Sequence, residues 1–245
     1  MLASDPMTYL NYNGNRTFKD QLVITRRKHT WVMSWLYIGT FGSFIGYSAA
    51  FPLLLKTQFP AVTLSLAFLG PLVGSIARPL GGLLADKIGG ARVTFWNFVA
   101  MAAATVGVMY SVEAKSFAGF LTMFLILFVT TGVGNGSTFR MIPAIFRQEK
   151  LRSVEGMGGT VETAAMKSAR IESAAVLGFT SAIGACGGYL IPRSFGASIQ
   201  ATGGPYLALE VFLGFYITCV ALTWWYYMRR SFLARRAPSL AEAGV

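Results

Sequence analysis

Six long apolar runs, separated by short polar breaks, dominate the chain: Trp31–Leu55, Ala61–Ala85, Val93–Val112, Phe117–Phe146, Ser173–Phe195 and Tyr206–Met228. Each is close to or above the roughly 20 residues that cross a bilayer as a helix. A soluble helix buries one apolar stripe, whereas these runs are apolar nearly all round. The pattern predicts an all-α membrane protein with six spans. Residues 1–28 are polar and carry turn formers at Asp5-Pro6 and Asn13-Gly14-Asn15. They read as an arm or linker; the span after the basic run is too long for a signal peptide. The helical bundle then covers 29–230 and a tail covers 231–245. The long break Arg147–Arg170, glycine-rich around Gly156–Gly159, is expected to be a loop with a short surface helix at Val161–Ile171.

Charge distribution sets the expected orientation. The chain of 245 residues is 54% hydrophobic, only 13% charged, and carries a net charge of +11. All Lys and Arg except Lys56, Lys115, Arg193, Arg78 and Arg140 lie in the arm, the second and fourth breaks, and the tail. Basic residues concentrate on the cytoplasmic side of membrane proteins. Both termini are therefore expected in the cytoplasm, in a multi-pass protein of the plasma or inner membrane. This asymmetry accounts for the basic excess without a nucleic-acid partner. Cys186 and Cys219 lie in separate spans and read as packing residues, not a disulfide framework. The lone His29 lies in the run Arg26-Arg27-Lys28-His29 and reads as an interfacial anchor. No His/Cys cluster suggests a metal, and neither a cofactor nor a catalytic dyad is implied.

Arg78 breaks the apolar pattern of the second run. It is the single charge within Ala61–Ala85. A guanidinium at that depth costs about 3 kcal/mol or more, and it does not escape by losing its proton. Such a residue reads by default as a functional site. Gly70 and Gly74 precede it on the same i+4 row, and small residues let membrane helices approach. Arg78 is therefore expected to face the bundle. Gly42 and Gly46 in the first span, and Gly178, Ala182, Ala185, Gly184, Gly187 and Gly188 in the fifth, form further small-residue rows whose plainest reading is helix packing.

Beyond Arg78, the stretch Gly82-Leu-Leu-Ala-Asp86-Lys87-Ile-Gly89-Gly90-Ala-Arg92 resembles the short cytoplasmic loop signature of the major facilitator superfamily. Its glycines permit a tight turn, and its basic residues hold the loop in the cytoplasm. Two more stretches are Gly132-Val-Gly-Asn-Gly-Ser-Thr-Phe139-Arg140-Met-Ile-Pro143 and Gly178-Phe-Thr-Ser181-Ala-Ile-Gly184-Ala-Cys-Gly187-Gly188-Tyr-Leu-Ile-Pro192. With Thr40–Gly46 and Ser75–Gly82 they resemble the C-terminal half of NarK-type nitrate/nitrite transporters, from about residue 18 to about 230. The resemblance implies six of twelve helices, with the N-terminal six-helix half fused or on a separate chain. It implies nitrate or nitrite as substrate, moved by alternating access, and no transport by this half alone. It assigns the anion-binding arginine to Arg78, a substrate-bonding tyrosine to Tyr37, a site-lining aromatic to Phe139, and signature-helix backbone and hydroxyl to Gly178, Ser181, Gly184, Gly187 and Gly188.

Depth supports the grouping. Tyr37 is nine residues past Lys28, Arg78 eight before Asp86, Phe139 eight before Arg147, and Ser181 nine past Glu172. At 1.5 Å per residue each lies about 12–14 Å from the cytoplasmic boundary, near the middle of a ~30 Å apolar core. Taken singly, Tyr37 also fits an interfacial aromatic, Phe139 a core residue, and Ser181 helix-to-helix hydrogen bonding. An arginine fork suits two oxygens of a flat monovalent anion. No Asp or Glu lies deep in a span: Glu172 and Glu210 read as helix ends and Glu113 as loop. That favours an anion over a cation or proton-coupled cargo. Arg140 fits either a contact at the cytoplasmic interface or a guide for anions. Another small anion as cargo, or a non-transporting accessory or sensor subunit, are the competing functions.

Overall fold

The computed structural model describes residues 22–154 and 159–229. Most of the arm, the tail, and 155–158 of the glycine-rich break lie outside the described residues. A 3-10 turn, Leu22–Arg26, leads into six long helices. These are α1 (Lys28–Gln58), α2 (Leu64–Ile88), α3 (Gly90–Glu113), α4 (Phe117–Ser153), α5 (Gly159–Thr202) and α6 (Tyr206–Met228). There is no strand among the described residues. Each helix is long and apolar enough to cross a membrane, as the six runs require, and together they form a six-helix half of a major facilitator bundle.

Helix α4 is the centre of the bundle, packing against α2, α3 and α5, while α1 packs on α5 and α6 on α3. Glycine makes the α2–α4 contact a backbone-to-backbone one. A Cβ at Gly132 would strike the Gly74 carbonyl, one at Gly81 the backbone of Val133, and one at Gly136 the Arg78 carbonyl. Close approach through small residues replaces the hydrophobic driving force that lipid removes. Hydroxyls add pairs between helices: Thr94 to Ser137 at 2.8 Å and Thr40 to Thr138 at 3.2 Å, all four buried.

The two ends differ. One holds a cluster of rings from Phe51, Phe59, Phe120, Phe124 and Phe128, with Phe51 and Phe124 stacked at 4.9 Å. The other, the basic end, is tied by ion pairs. Arg27 reaches Glu149 (3.0 Å) and Glu172 (3.4 Å), and Lys150 reaches Glu172 (2.9 Å). Thus the segment before α1 is clamped to α4 and α5. Between α2 and α3 the connection is the single residue Gly89, at φ +92°. Only glycine adopts that conformation without cost, which is why the turn of the loop signature is so short.

Several expectations require correction. The break Arg147–Arg170 is mostly helix: α4 runs on to Ser153, and the predicted surface helix Val161–Ile171 is the first part of α5. The reason is a row of small buried residues, Ala165, Ser168 and Ala169, that continues the packing face beyond the apolar run, with Val154 packed on Ala165. In consequence Glu172 lies inside a continuous helix, not at its end, and Glu113 is the last residue of α3, not loop. Cys219 is buried as expected, but Cys186 is exposed. It sits at an interruption of α5, between Gly159–Ala185 and Gly187–Thr202.

Candidate anion site

Around Arg78, α2 and α4 leave an open groove of about 580 Å³ whose lining includes Ser75, Pro79, Gly82, Gly136, Phe139 and Arg140. The seam explains the groove. Gly82 and Gly136 hold the two helices so close that Arg78 and Phe139, flanking them, emerge on the same side. Prolines add free acceptors. Pro79 has no N–H for the Ser75 carbonyl and Pro143 none for the Phe139 carbonyl, since each lies four residues on. Two groove-lining residues therefore carry carbonyls that lack their normal helical donor.

Arg78 is not enclosed by this chain. Its neighbours Gly74 and Gly82 are buried against α4, but its own side chain is exposed. The guanidinium carbon stands 5.7 Å from the centre of the Phe41 ring. No carboxylate pairs with Arg78 among the described residues. Arg140 is different: its guanidinium meets Asp86 at 3.1 Å. So Arg140 both lines the groove and ties the loop signature to α4, and Asp86 balances its charge. What remains is one uncompensated cation, Arg78, beside the Phe41 ring and sharing with Phe139 a groove lined by no acid. That arrangement suits a small flat anion, which takes parallel N–H donors in its plane and rings on its faces.

Phe41 is the residue that sequence reasoning missed. It belongs to a π turn, Ile38–Gly42, within α1. Its ring lies 5.3 Å from that of Tyr37. A Cβ at Gly184 would sit 3.1 Å from the Phe41 ring and 3.2 Å from that of Tyr37. Phe41 thus links Arg78 of α2, Tyr37 of α1 and Gly184 of α5. Tyr37 itself is buried and reaches this centre through Phe41. Single π turns inside α-helices recur at functional sites, and that association was the only signal available, had the turn been visible in sequence.

The other predicted residues divide. Gly187 packs on Gly42: a Cβ there would meet the Gly42 carbonyl at 2.5 Å and its Cα at 2.6 Å. Gly188 packs on Ile45, and the Gly46 position is closed by Ile191 and the Gly187 carbonyl. These glycines press the interruption of α5 against the π turn of α1, so two irregular stretches of backbone meet beside the groove. Gly178 is exposed with open space at its Cβ position, and Ser181 is half-buried; neither lines the groove. From the loop signature, Lys87 and Arg92 are exposed at the basic end. Asn135, one residue from groove-lining Gly136, is fully buried with neither amide atom partnered among the described residues.

If Phe41 positions Arg78, shortening it loosens the site without unpicking the seam. Phe41→Ala is expected to weaken the binding of a small flat anion at Arg78 by roughly 3- to 30-fold, the loss of a cation–π contact of about 0.5–2 kcal/mol. Isothermal titration with a small monovalent anion checks this; unchanged affinity would remove Phe41 from the site.

No protein-family model matches the chain. Among curated proteins, the nitrate/nitrite transporter NarU of Escherichia coli is 51% identical over 224 residues, 90% of this chain and 48% of that protein. NarU of Salmonella typhimurium is 50% identical over 86% of this chain and 46% of its own length. The probable nitrate/nitrite antiporter NarK2 of Thermus thermophilus is 36% identical over 87% of this chain and 45% of its own length. The chain spans about half the length of the curated relatives it matches.

Proposed function

Since the chain belongs to the NarK-type nitrate/nitrite transporters, of which it spans about half, we propose that it forms one six-helix half of a nitrate/nitrite transporter. In this reading it is the C-terminal half, both termini face the cytoplasm, and the anion binds at Arg78. The observation that carries the reading is Arg78 itself: a cation without a carboxylate partner among the described residues, beside Phe41 and sharing an open groove with Phe139.

Arg78 supplies two parallel donors to the anion, and Phe41 and Phe139 exclude water from its faces. Tyr37 and the glycine-lined bend of α5 set the position of Phe41. The exposed face of the groove is where the N-terminal half would close. Its approach brings further charge and surface toward Arg78. An anion held between the halves offsets the repulsion felt by an uncompensated guanidinium, so closure follows occupancy. This is rocking of two halves about a fixed midplane site. The absence of a carboxylate in the described groove fits exchange of one anion for another.

The test is reconstitution. Proteoliposomes containing this chain alone are expected to show no nitrate/nitrite exchange. Those containing it with an N-terminal six-helix half from a NarU protein are expected to show exchange at least tenfold above empty liposomes. Exchange by the chain alone at the same rate would overturn the proposal that it acts as a half.

A further inference from the structure

A second groove, of about 550 Å³, lies between α4 and α5 at the basic end, distinct from the anion site. Three cations rim it: Arg147 from α4, and Lys167 and Arg170 from α5. Its floor is apolar, with Pro143, Ala174 and Leu177 among its walls. The order along the helices is informative. The apolar run of α4 ends at Phe146 and that of α5 begins at Ser173. All three cations therefore lie just outside the apolar zone, and Pro143, Ala174 and Leu177 just inside it. On α5 the lining residues recur every three or four positions from Thr163 to Leu177, a continuous stripe about 21 Å long at 1.5 Å per residue.

Neither Arg147 nor Arg170 has a carboxylate partner among the described residues. Of the described acids at this end, Glu149 and Glu172 are held by Arg27 and Lys150, Asp86 by Arg140, and Glu162 does not line the groove. A cationic rim at the water boundary above an apolar trough matches one kind of molecule, an anion with a long apolar chain. Basic pockets between membrane helices hold anionic headgroups for this reason. We propose that the groove binds one anionic phospholipid, its phosphodiester between Arg147 and Arg170 and an acyl chain along Pro143, Ala174 and Leu177. Such a lipid bridges the ends of α4 and α5, the two helices that carry Phe139 and the glycine bend.

Native mass spectrometry of the whole chain in neutral detergent tests this, with dioleoyl phosphatidylglycerol and dioleoyl phosphatidylcholine titrated separately. One phosphatidylglycerol is expected to be retained at least about tenfold more strongly than phosphatidylcholine. Arg147→Gln with Arg170→Gln should weaken it by about 30-fold, the product of two surface cations; both are exposed and their removal leaves the packing intact. Ala174→Trp, also at an exposed position, fills the trough and should abolish retention with the cations in place. Glycerol 3-phosphate, the headgroup chemistry without chains, should not compete at equal concentration. Equal retention of the two lipids, retention indifferent to the variants, or full competition by glycerol 3-phosphate would each overturn the proposal.

Discussion

Arg78→Lys is expected to weaken nitrate affinity by about 10- to 100-fold in protein containing both halves. A lysine keeps the charge and much of the reach. It loses the planar fork, so one of two parallel N–H···O bonds to the anion goes unmade. Hydrogen bonds involving charged groups contribute about 1.5–3 kcal/mol, which sets the range. Arg78→Gln removes the charge as well and should bring exchange to background. Thermal stability should hardly move in either case, because the side chain is exposed and no carboxylate pairs with it among the described residues. Counterflow of nitrate and nitrite in proteoliposomes, with unfolding followed in parallel, separates the two effects. Arg140→Lys is the control: it can keep its pair with Asp86, and its affinity should stay within about threefold on the charge-pair magnitudes of exposed sites. Wild-type affinity in Arg78→Lys would refute two-donor recognition.

The second large effect belongs to the seam. Gly136→Ala is expected to lower the stability of the bundle by about 1–3 kcal/mol or more, the range for overpacking a tight contact. The added methyl would strike the Arg78 carbonyl and approach Gly82 N at 2.7 Å. Those are backbone atoms, so no rotamer change relieves the clash and α2 must move away from α4. Because the clash falls on Arg78, anion affinity should drop together with stability. Gly132→Ala, which meets the Gly74 carbonyl, should destabilise similarly. Gly214→Ala and Gly196→Ala meet nothing within 4 Å and should be neutral, or stabilising by up to about 1 kcal/mol through helix propensity. Thermal unfolding of the four variants in one detergent checks this. A Gly136→Ala midpoint equal to that of Gly214→Ala would mean that the seam is looser than its geometry indicates.

The site was partly legible from the chain alone. Arg78 and Phe139 were placed at one depth by counting from charged boundaries, and they line one groove. Residue number converts to height there because α2 and α4 are continuous α-helix between those boundaries. Rotation about the axis did not follow in the same way. The π turn at Ile38–Gly42 inserts an extra residue and turns the remainder of α1 by about 100° relative to an unbroken helix. Phe41 meets Arg78 across that turn, which no periodic template anticipates. Likewise the signature glycines were expected to line the anion, whereas Gly187 and Gly188 chiefly let α5 lie against Gly42 and Ile45. Glycine spacing marks close approach without naming the partner.

Arg140 shows the same division. In sequence its charge near a span end allowed either an interfacial contact or a guide for anions. Folding brings Asp86 to 3.1 Å, which ties it to the loop signature and leaves Arg78 as the cation in excess. The start of α5 was misjudged for a related reason. Ala165, Ser168 and Ala169 are too small and polar to register as an apolar run, yet they are buried once α4 lies beside them.

Sequence by itself determined the six spans, the segregation of basic residues to one end, the single charge within the second span, and a tight glycine turn after it, which the structure narrows to Gly89. All of these depend on local sums: hydropathy over about 20 residues, charge per connection, and the steric freedom of one glycine. Tertiary structure alone decided which ring meets Arg78, which carboxylate neutralises Arg140, and that the bend of α5 rests on the π turn of α1. Those outcomes depend on how six helices rotate and interlock. A glycine seam that admits no extra methyl fixes that rotation, and its partners lie more than fifty residues apart along the chain.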